Sequence, residues 1–295
     1  MDLPILFVKT VLLRPYVFVF LAAYLVIAPR LLGWKRTALF FVMTWVTAFV
    51  CEFSSTRTGI PFGWYHYTGS TVGQELYLSN VPFMDSLSFT FLLFASYCLA
   101  LFFLLPSPPR QAPPSKVPRL VLDPAARTSW AVLALSVLFF VLVDAVIDPV
   151  ALRGDRWFLG RIYWYPDPGV HFGVPIANYL GWAVVGLIAL PAYFFCDRRL
   201  EGPPDLPSSI ATSPTTRGSL HSTATVPILL GCALYFGVLI FNLTVTFWIN
   251  EPLIATTGIL IYLPITAWFL LRLLGRLPSA PQATGEESLP PHDPP

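Results

Sequence analysis

Seven apolar runs leave this chain few ways to fold. At about 16–32, 37–51, 85–105, 129–147, 174–196, 225–249 and 253–274 it is apolar for long enough, or nearly so, to cross a lipid bilayer. Hydrocarbon offers the backbone no water to bond, so such runs must satisfy their own N–H and C=O groups, and helices do this within one segment. The expected fold class is therefore all-α, a polytopic transmembrane helix bundle of about seven helices. Composition agrees: with 55% hydrophobic and 12% charged residues, too little polar surface exists to cover a soluble domain of 295 residues.

The first two runs are separated only by 33–36, which predicts a hairpin with Arg30, Lys35 and Arg36 at its tip. Proline, serine and threonine dominate 106–128 and 197–223, which read as flexible loops, and 278–295 reads as a disordered tail. Residues 1–277 are then a single integral membrane domain. No small-residue cleavage site precedes the first run, so no removable signal peptide is expected. Threading seven helices puts twice as many lysines and arginines on one side as on the other. The positive-inside rule then predicts a multi-pass protein of the cell membrane, N-terminus outside and C-terminus cytoplasmic, with the loops that begin near 52, 148 and 251 on one face.

Several chemistries are excluded. A net charge of +2 without a basic face argues against nucleic acid. Cys51, Cys98, Cys196 and Cys232 stand alone in or beside apolar runs and read as packing residues. There is no nucleophile elbow, zinc-binding HExxH, phosphate-binding loop, dinucleotide glycine motif or paired Asp-rich motif, and two of the four histidines, His221 and His292, lie in linkers. Neither a cofactor nor a metal is expected.

The polar residues that remain are concentrated near the ends of the runs. Glu52 follows the short second run and is expected at the membrane boundary. Gly59 and Gly63 bracket Ile60-Pro61-Phe62, predicting a tight turn, and four rings follow: Trp64, Tyr65, His66 and Tyr67. An interfacial aromatic belt accounts for the rings, but not for Glu52, Arg57 and the turn. Asp144 and Asp148 are four residues apart and share one helical face. Two carboxyls so placed among apolar neighbours are not expected to be charged together. Asp148-Pro149 also reads as a helix terminator, whereas Asp144, inside the run, reads as facing a polar cavity. Trp164 lies in the long loop 150–170. His171 opens a second Gly-Val-Pro turn, and Asn178 lies one turn into the fifth run, where an interhelical hydrogen bond would also explain it.

Glu52, the run 56–68, Asp144 with Asp148-Pro149, and the segment 171–182 ending at Trp182 resemble the membrane carotenoid biosynthesis proteins that include the carotenoid 1′,2′-hydratases, bisanhydrobacterioruberin hydratase among them. The resemblance covers roughly 50–186. At 81–88, where relatives tend to be more apolar, this chain places Asp85. The resemblance implies a cofactor-independent hydration of the terminal C1,2 double bond of an acyclic carotenoid, by a carboxylic acid that protonates the alkene and a second group that directs water. Asp144 is the expected proton donor with Asp148 as its partner, Glu52 is the rival donor, and His171 is a further catalytic candidate. Arg57, Trp64, Tyr65, His66, Tyr67, Trp164, Asn178 and Trp182 are the expected substrate-binding residues, with Arg57 expected to pair with Glu52 or an aspartate of the fourth run. The implied partners are the carotenoid, the lipid bilayer and other carotenoid biosynthesis enzymes. The alternative is a non-catalytic carotenoid or lipid binder, or a scaffold for pigment synthesis. A transporter is disfavoured, since no two matching halves are evident.

Overall fold

The structure, a computed structural model, describes residues 3–105, 124–200 and 225–276. Among these the helices are α1 (Leu3–Leu13), α2 (Pro15–Leu32), α3 (Trp34–Thr58), α4 (Phe83–Leu104), α5 (Pro124–Arg127), α6 (Trp130–Ala151), α7 (Ile176–Asp197), α8 (Thr225–Trp248) and α9 (Pro252–Arg276). Seven of them, α2–α4 and α6–α9, are long and apolar enough to cross a membrane, so the chain is a multi-pass membrane protein with the architecture expected from its sequence. Large apolar side chains such as Val19, Leu187, Ile240 and Leu263 point outward, where lipid is the matching solvent.

Helix α4 is the post around which the others stand. It is apolar on every side, as a helix with no solvent-facing stripe must be, and almost all of its residues are buried. It packs against α2, α3, α6 and α8. Where hydrophobic driving force between helices is weak, close approach through small residues decides packing. Thus a Cβ at Gly231 of α8 would lie 2.3 Å from the Cys98 sulfur of α4, and one at Gly186 of α7 would lie 3.0 Å from Val137 of α6. Cys51, Cys98 and Cys232 are buried and form no disulfide among the described residues, in line with a packing role.

Three boundaries differ from those expected. Helix α3 runs on to Thr58 and ends at Gly59, whose φ of 75° forms a left-handed cap with its N–H bonded to Ser55 O. Glu52 is therefore a buried residue two turns inside a helix and not a boundary residue. Helix α6 continues through Asp148-Pro149 to Ala151, because a proline this close to a C-terminus costs only a bond or two of the ladder. Lastly, α1 is an additional short apolar helix ahead of the first span. The flexible loop expected at 106–128 lies outside the described residues up to 123, but its end forms α5, and Arg127 and Arg36 both pair with Asp197, Arg127 at 2.9 Å. Arg198, also expected in a loop, bonds Thr128 O at 2.7 Å. The rest of the second loop, 201–224, and the tail beyond 276 lie outside the described residues.

At the opposite end, two long connections fold over the bundle. In 59–82, β1 (His66–Tyr67) is followed by the hairpin β2 (Tyr77–Leu78) and β3 (Val81–Pro82). In 152–175, β4 (Tyr163–Trp164) pairs antiparallel with β1, placing His66 opposite Trp164 and Tyr67 opposite Tyr163. Thr68 N–H extends the stitch by bonding Ile162 O at 2.9 Å. The first connection is seated on α7 by Phe62, whose ring lies over Gly181 so closely that a Cβ there would come within 2.2 Å of it. Gly181→Ala is therefore expected to lower unfolding stability by about 1–3 kcal/mol through overpacking. Gly237→Ala, at a helical glycine with nothing within 4 Å, is expected to be neutral or stabilising by up to ~1 kcal/mol. Thermal unfolding of the two purified variants in one detergent checks the contrast.

Candidate active site

Beneath these connections a cavity of about 930 Å³, counting its open mouth, reaches between α2, α3, α4, α6, α7 and α8. Its walls are mostly aromatic and aliphatic. Trp182 of α7 stacks on Phe89 of α4 with ring centres 4.2 Å apart and lies 4.6 Å from Phe140 of α6. Phe62 and Tyr65 complete one side, and Tyr16, Phe20 and Phe241 line the part between α2 and α8. Into this apolar space project three carboxyls from three helices: Glu52 of α3, Asp85 of α4 and Asp148 of α6.

The most constrained group is the aspartate pair. Asn178 Nδ2 donates one hydrogen bond to Asp144 Oδ2 at 2.7 Å and another to Asp148 Oδ2 at 2.6 Å, using both hydrogens of one amide. Two carboxyls held on one amide in an apolar setting repel each other when both are charged, which disfavours ionisation of both at once. Asp148 accepts a further bond from the Tyr165 hydroxyl at 3.3 Å and faces the cavity. Asp144 is fully buried behind it, does not line the cavity, and leaves Oδ1 without a partner. Asp144 was expected to face the cavity; of the pair, Asp148 is the member that lines it.

The roof supplies phenols. Tyr65, Tyr67, Tyr163 and Tyr165 all line the cavity, and burial, followed by nearby carboxyl charge, raises each of them above the usual tyrosine range. They remain neutral donors. Strand geometry explains the selection: side chains alternate along a strand, so Tyr65 and Tyr67 turn inward while Trp64 and His66 turn outward, and Tyr163 and Tyr165 turn inward while Trp164 turns outward. His66 and Trp164 instead meet each other outside, ring centres 5.4 Å apart, and Trp64 lies exposed over Gly59.

Of the residues singled out in the sequence, Glu52, Asp148, Tyr65, Tyr67, Asn178 and Trp182 therefore line one cavity, with Asp144 directly behind them. Trp64, His66 and Trp164 do not line it. Arg57 does not pair with Glu52 or with an aspartate; it lies exposed over the Phe53 ring and bonds Phe53 O at 2.8 Å and the Ser79 hydroxyl at 3.1 Å. Position explains this, since five residues beyond Glu52 on a helix is more than one turn, on a different face. His171 is hydrogen-bonded to the Tyr179 hydroxyl outside the cavity, and burial lowers its pKa, keeping the ring neutral at pH 7. Asp85, Tyr163 and Tyr165 are the wall residues that sequence reasoning did not select; an acid at the very start of an apolar run and the alternation Tyr-Trp-Tyr were the available signals. Among the described residues no cluster of three or more His, Cys, Asp or Glu is arranged to hold a metal ion.

A seven-span bundle with a buried acid pair at one end of an aromatic cavity defines the class: an integral membrane protein with an apolar cavity inside its bundle. The chain matches the family of carotenoid biosynthesis proteins over residues 9–263, and it belongs to that family. Over 161 residues it is 29% identical to bisanhydrobacterioruberin hydratase of Haloarcula japonica, an alignment that covers 55% of this chain and 46% of that protein. The chain thus spans about half the length of the curated relative it matches. No solved structure matches it.

One buried ion pair pins the roof to the bundle. Arg14, between α1 and α2, bonds Glu75 through Nη2 at 3.0 Å and also donates to Leu159 O, so one guanidinium joins the N-terminal helices to both covering connections. Both side chains are fully buried. Arg14→Ala leaves the Glu75 carboxylate without its partner and is expected to cost about 3–5 kcal/mol, whereas the double replacement Arg14→Met with Glu75→Leu recovers most of the loss. Unfolding free energies of the two singles and the double measure the difference.

Proposed function

We propose that this protein hydrates the terminal C1,2 double bond of an acyclic carotenoid by acid catalysis without a cofactor. The observation that carries the reading is the meeting of a carboxyl pair bridged by one amide, Asp144 and Asp148 on Asn178, with an aromatic-walled apolar cavity. The name of the Haloarcula japonica relative supports hydration as the reaction, and the family supports a carotenoid as the substrate.

Each component of the reaction has a counterpart. A trisubstituted alkene accepts a proton at its less substituted carbon only from an acid that stays protonated near neutral pH, and an Asp148 carboxyl that shares a proton with Asp144 fills that role. Protonation leaves a tertiary cation, and the faces of Trp182, Phe89 and Tyr65 offer it quadrupolar stabilisation without a nucleophile to trap it. Asn178 is the positioning residue: it fixes both carboxyls but cannot itself take up a proton. Asp144 acts through Asp148 as the second half of the shared-proton pair. On the lysine and arginine distribution, this end of the bundle faces out of the cell membrane and the C-terminus faces the cytoplasm.

Expressed with an acyclic carotenoid, the wild-type protein is expected to yield a product heavier by one molecule of water. Asp148→Asn is expected to lower the rate by on the order of 10²-fold or more, because an amide matches the carboxyl in size but cannot donate a proton of useful acidity. Asp144→Asn, which still offers Asn178 an acceptor but removes the second carboxyl, is expected to be impaired to a lesser degree. Chromatography and mass analysis of the extracted pigments decide the matter; undiminished hydration by Asp148→Asn, or a wild type that only binds pigment, contradicts the reading.

A further inference from the structure

Asp85 faces the same cavity as Asp148 from a different helix, and the proposed reaction leaves it without a task. Three observations give it one. Its side chain lies in the first turn of α4, in the cavity wall that Tyr67 also lines. Glu52 of α3 lines the same cavity. Glu52 is almost fully buried and its Oε2 has no hydrogen-bond partner, although a buried carboxyl oxygen in this setting requires one. Two further acids, from α3 and α4, thus line the cavity that Asp148 of α6 faces, and one of them has a buried oxygen without a partner.

We propose that Asp85 is a further catalytic residue, the base that receives a proton from the attacking water, and that Glu52 holds that water through its unpartnered oxygen. The inference rests on the hydration reading. In the full step, the Asp148 carboxyl transfers its proton to C2 of the end group and the alkene electron pair forms the new C–H bond, leaving the cation at C1. The water oxygen then bonds to C1 and its proton passes to the Asp85 carboxylate, giving a neutral tertiary alcohol. The proton gained by Asp85 returns to the vacated Asp148 through water in the cavity, so acid and base are both restored. Acid and base on separate helices suit addition, because proton and water must reach neighbouring carbons while remaining apart until the cation forms.

Separating the two half-steps tests this. The full-length protein in membranes loaded with lycopene is incubated in deuterated buffer, and both hydrated product and deuterium in unreacted pigment are measured. An enzyme that has its acid but lacks its base should still protonate C2, and the cation then reverts by losing a proton from C2 or from a methyl group. Asp85→Asn is therefore expected to lose hydration by on the order of 10²-fold while still introducing deuterium into lycopene, whereas Asp148→Asn loses both activities. Asp85→Glu, which keeps the carboxylate, should recover part of the hydration. The proposal is overturned if Asp85→Asn hydrates within about threefold of wild type, if it loses exchange together with hydration while still binding pigment, or if Glu52→Gln alone shows exchange without hydration. A wild type that neither hydrates nor exchanges overturns the hydration reading itself and this inference with it, a result that the variants cannot imitate.

Discussion

The interaction on which the rest of this site depends is one amide holding two carboxyls. Asp144 and Asp148 sit one helical turn apart in an apolar helix, where unpaired charge is costly and a lone polar group fares little better. Asn178 answers both with short bonds to the same-named oxygens. Since α6 carries the acids and α7 the amide, the bond also fixes how those helices are turned toward each other. The glycines of α7 make it reachable: Gly186 lets Val137 of α6 approach, and Gly181 admits Phe62 of the covering loop. Chemistry and packing are therefore set by the same helix face.

From that contact the cavity is built outward. The central α4 contributes Asp85, Ser88 and Phe89 on successive turns of one face, while α3, longer than its apolar run, brings Glu52 down into the bundle. The two covering connections are then joined across the top by a two-residue ladder and locked by Arg14 and Glu75. Their tyrosines line the carboxyl end of the cavity as neutral phenols, and Tyr165 donates to Asp148. The aromatic remainder is left for an apolar ligand.

Much of the bundle was legible in the sequence because a membrane span is a local property: length and apolarity of one run suffice, and the seven spans lie close to where the runs fall. The acid pair was legible for a similar reason, since a spacing of four places two side chains on one helix face. What could not be read locally was which residues face inward. Helix α3 continues through polar residues after its apolar run ends, because loop and neighbouring helices bury that turn, and this moved Glu52 inside while sending Arg57 to the surface. The ring cluster 64–67 contains both inward and outward residues, and only its pairing with 163–164, about a hundred residues away, reveals the alternation. Arg14 with Glu75, and Asp197 with Arg36 and Arg127, are likewise long-range pairs that no spacing rule connects.

The claim at the centre is that the Asp144–Asp148 pair carries a proton at neutral pH, and infrared spectroscopy of the protein in membranes observes this without reference to turnover. Protonated carboxyls absorb separately from carboxylates and shift in deuterated water. Subtracting the spectrum of the double variant Asp144→Asn with Asp148→Asn from that of the wild type should reveal one protonated carboxyl band that the variant has lost. A difference spectrum that shows only carboxylate bands would mean that both aspartates are charged, and neither could then act as the acid.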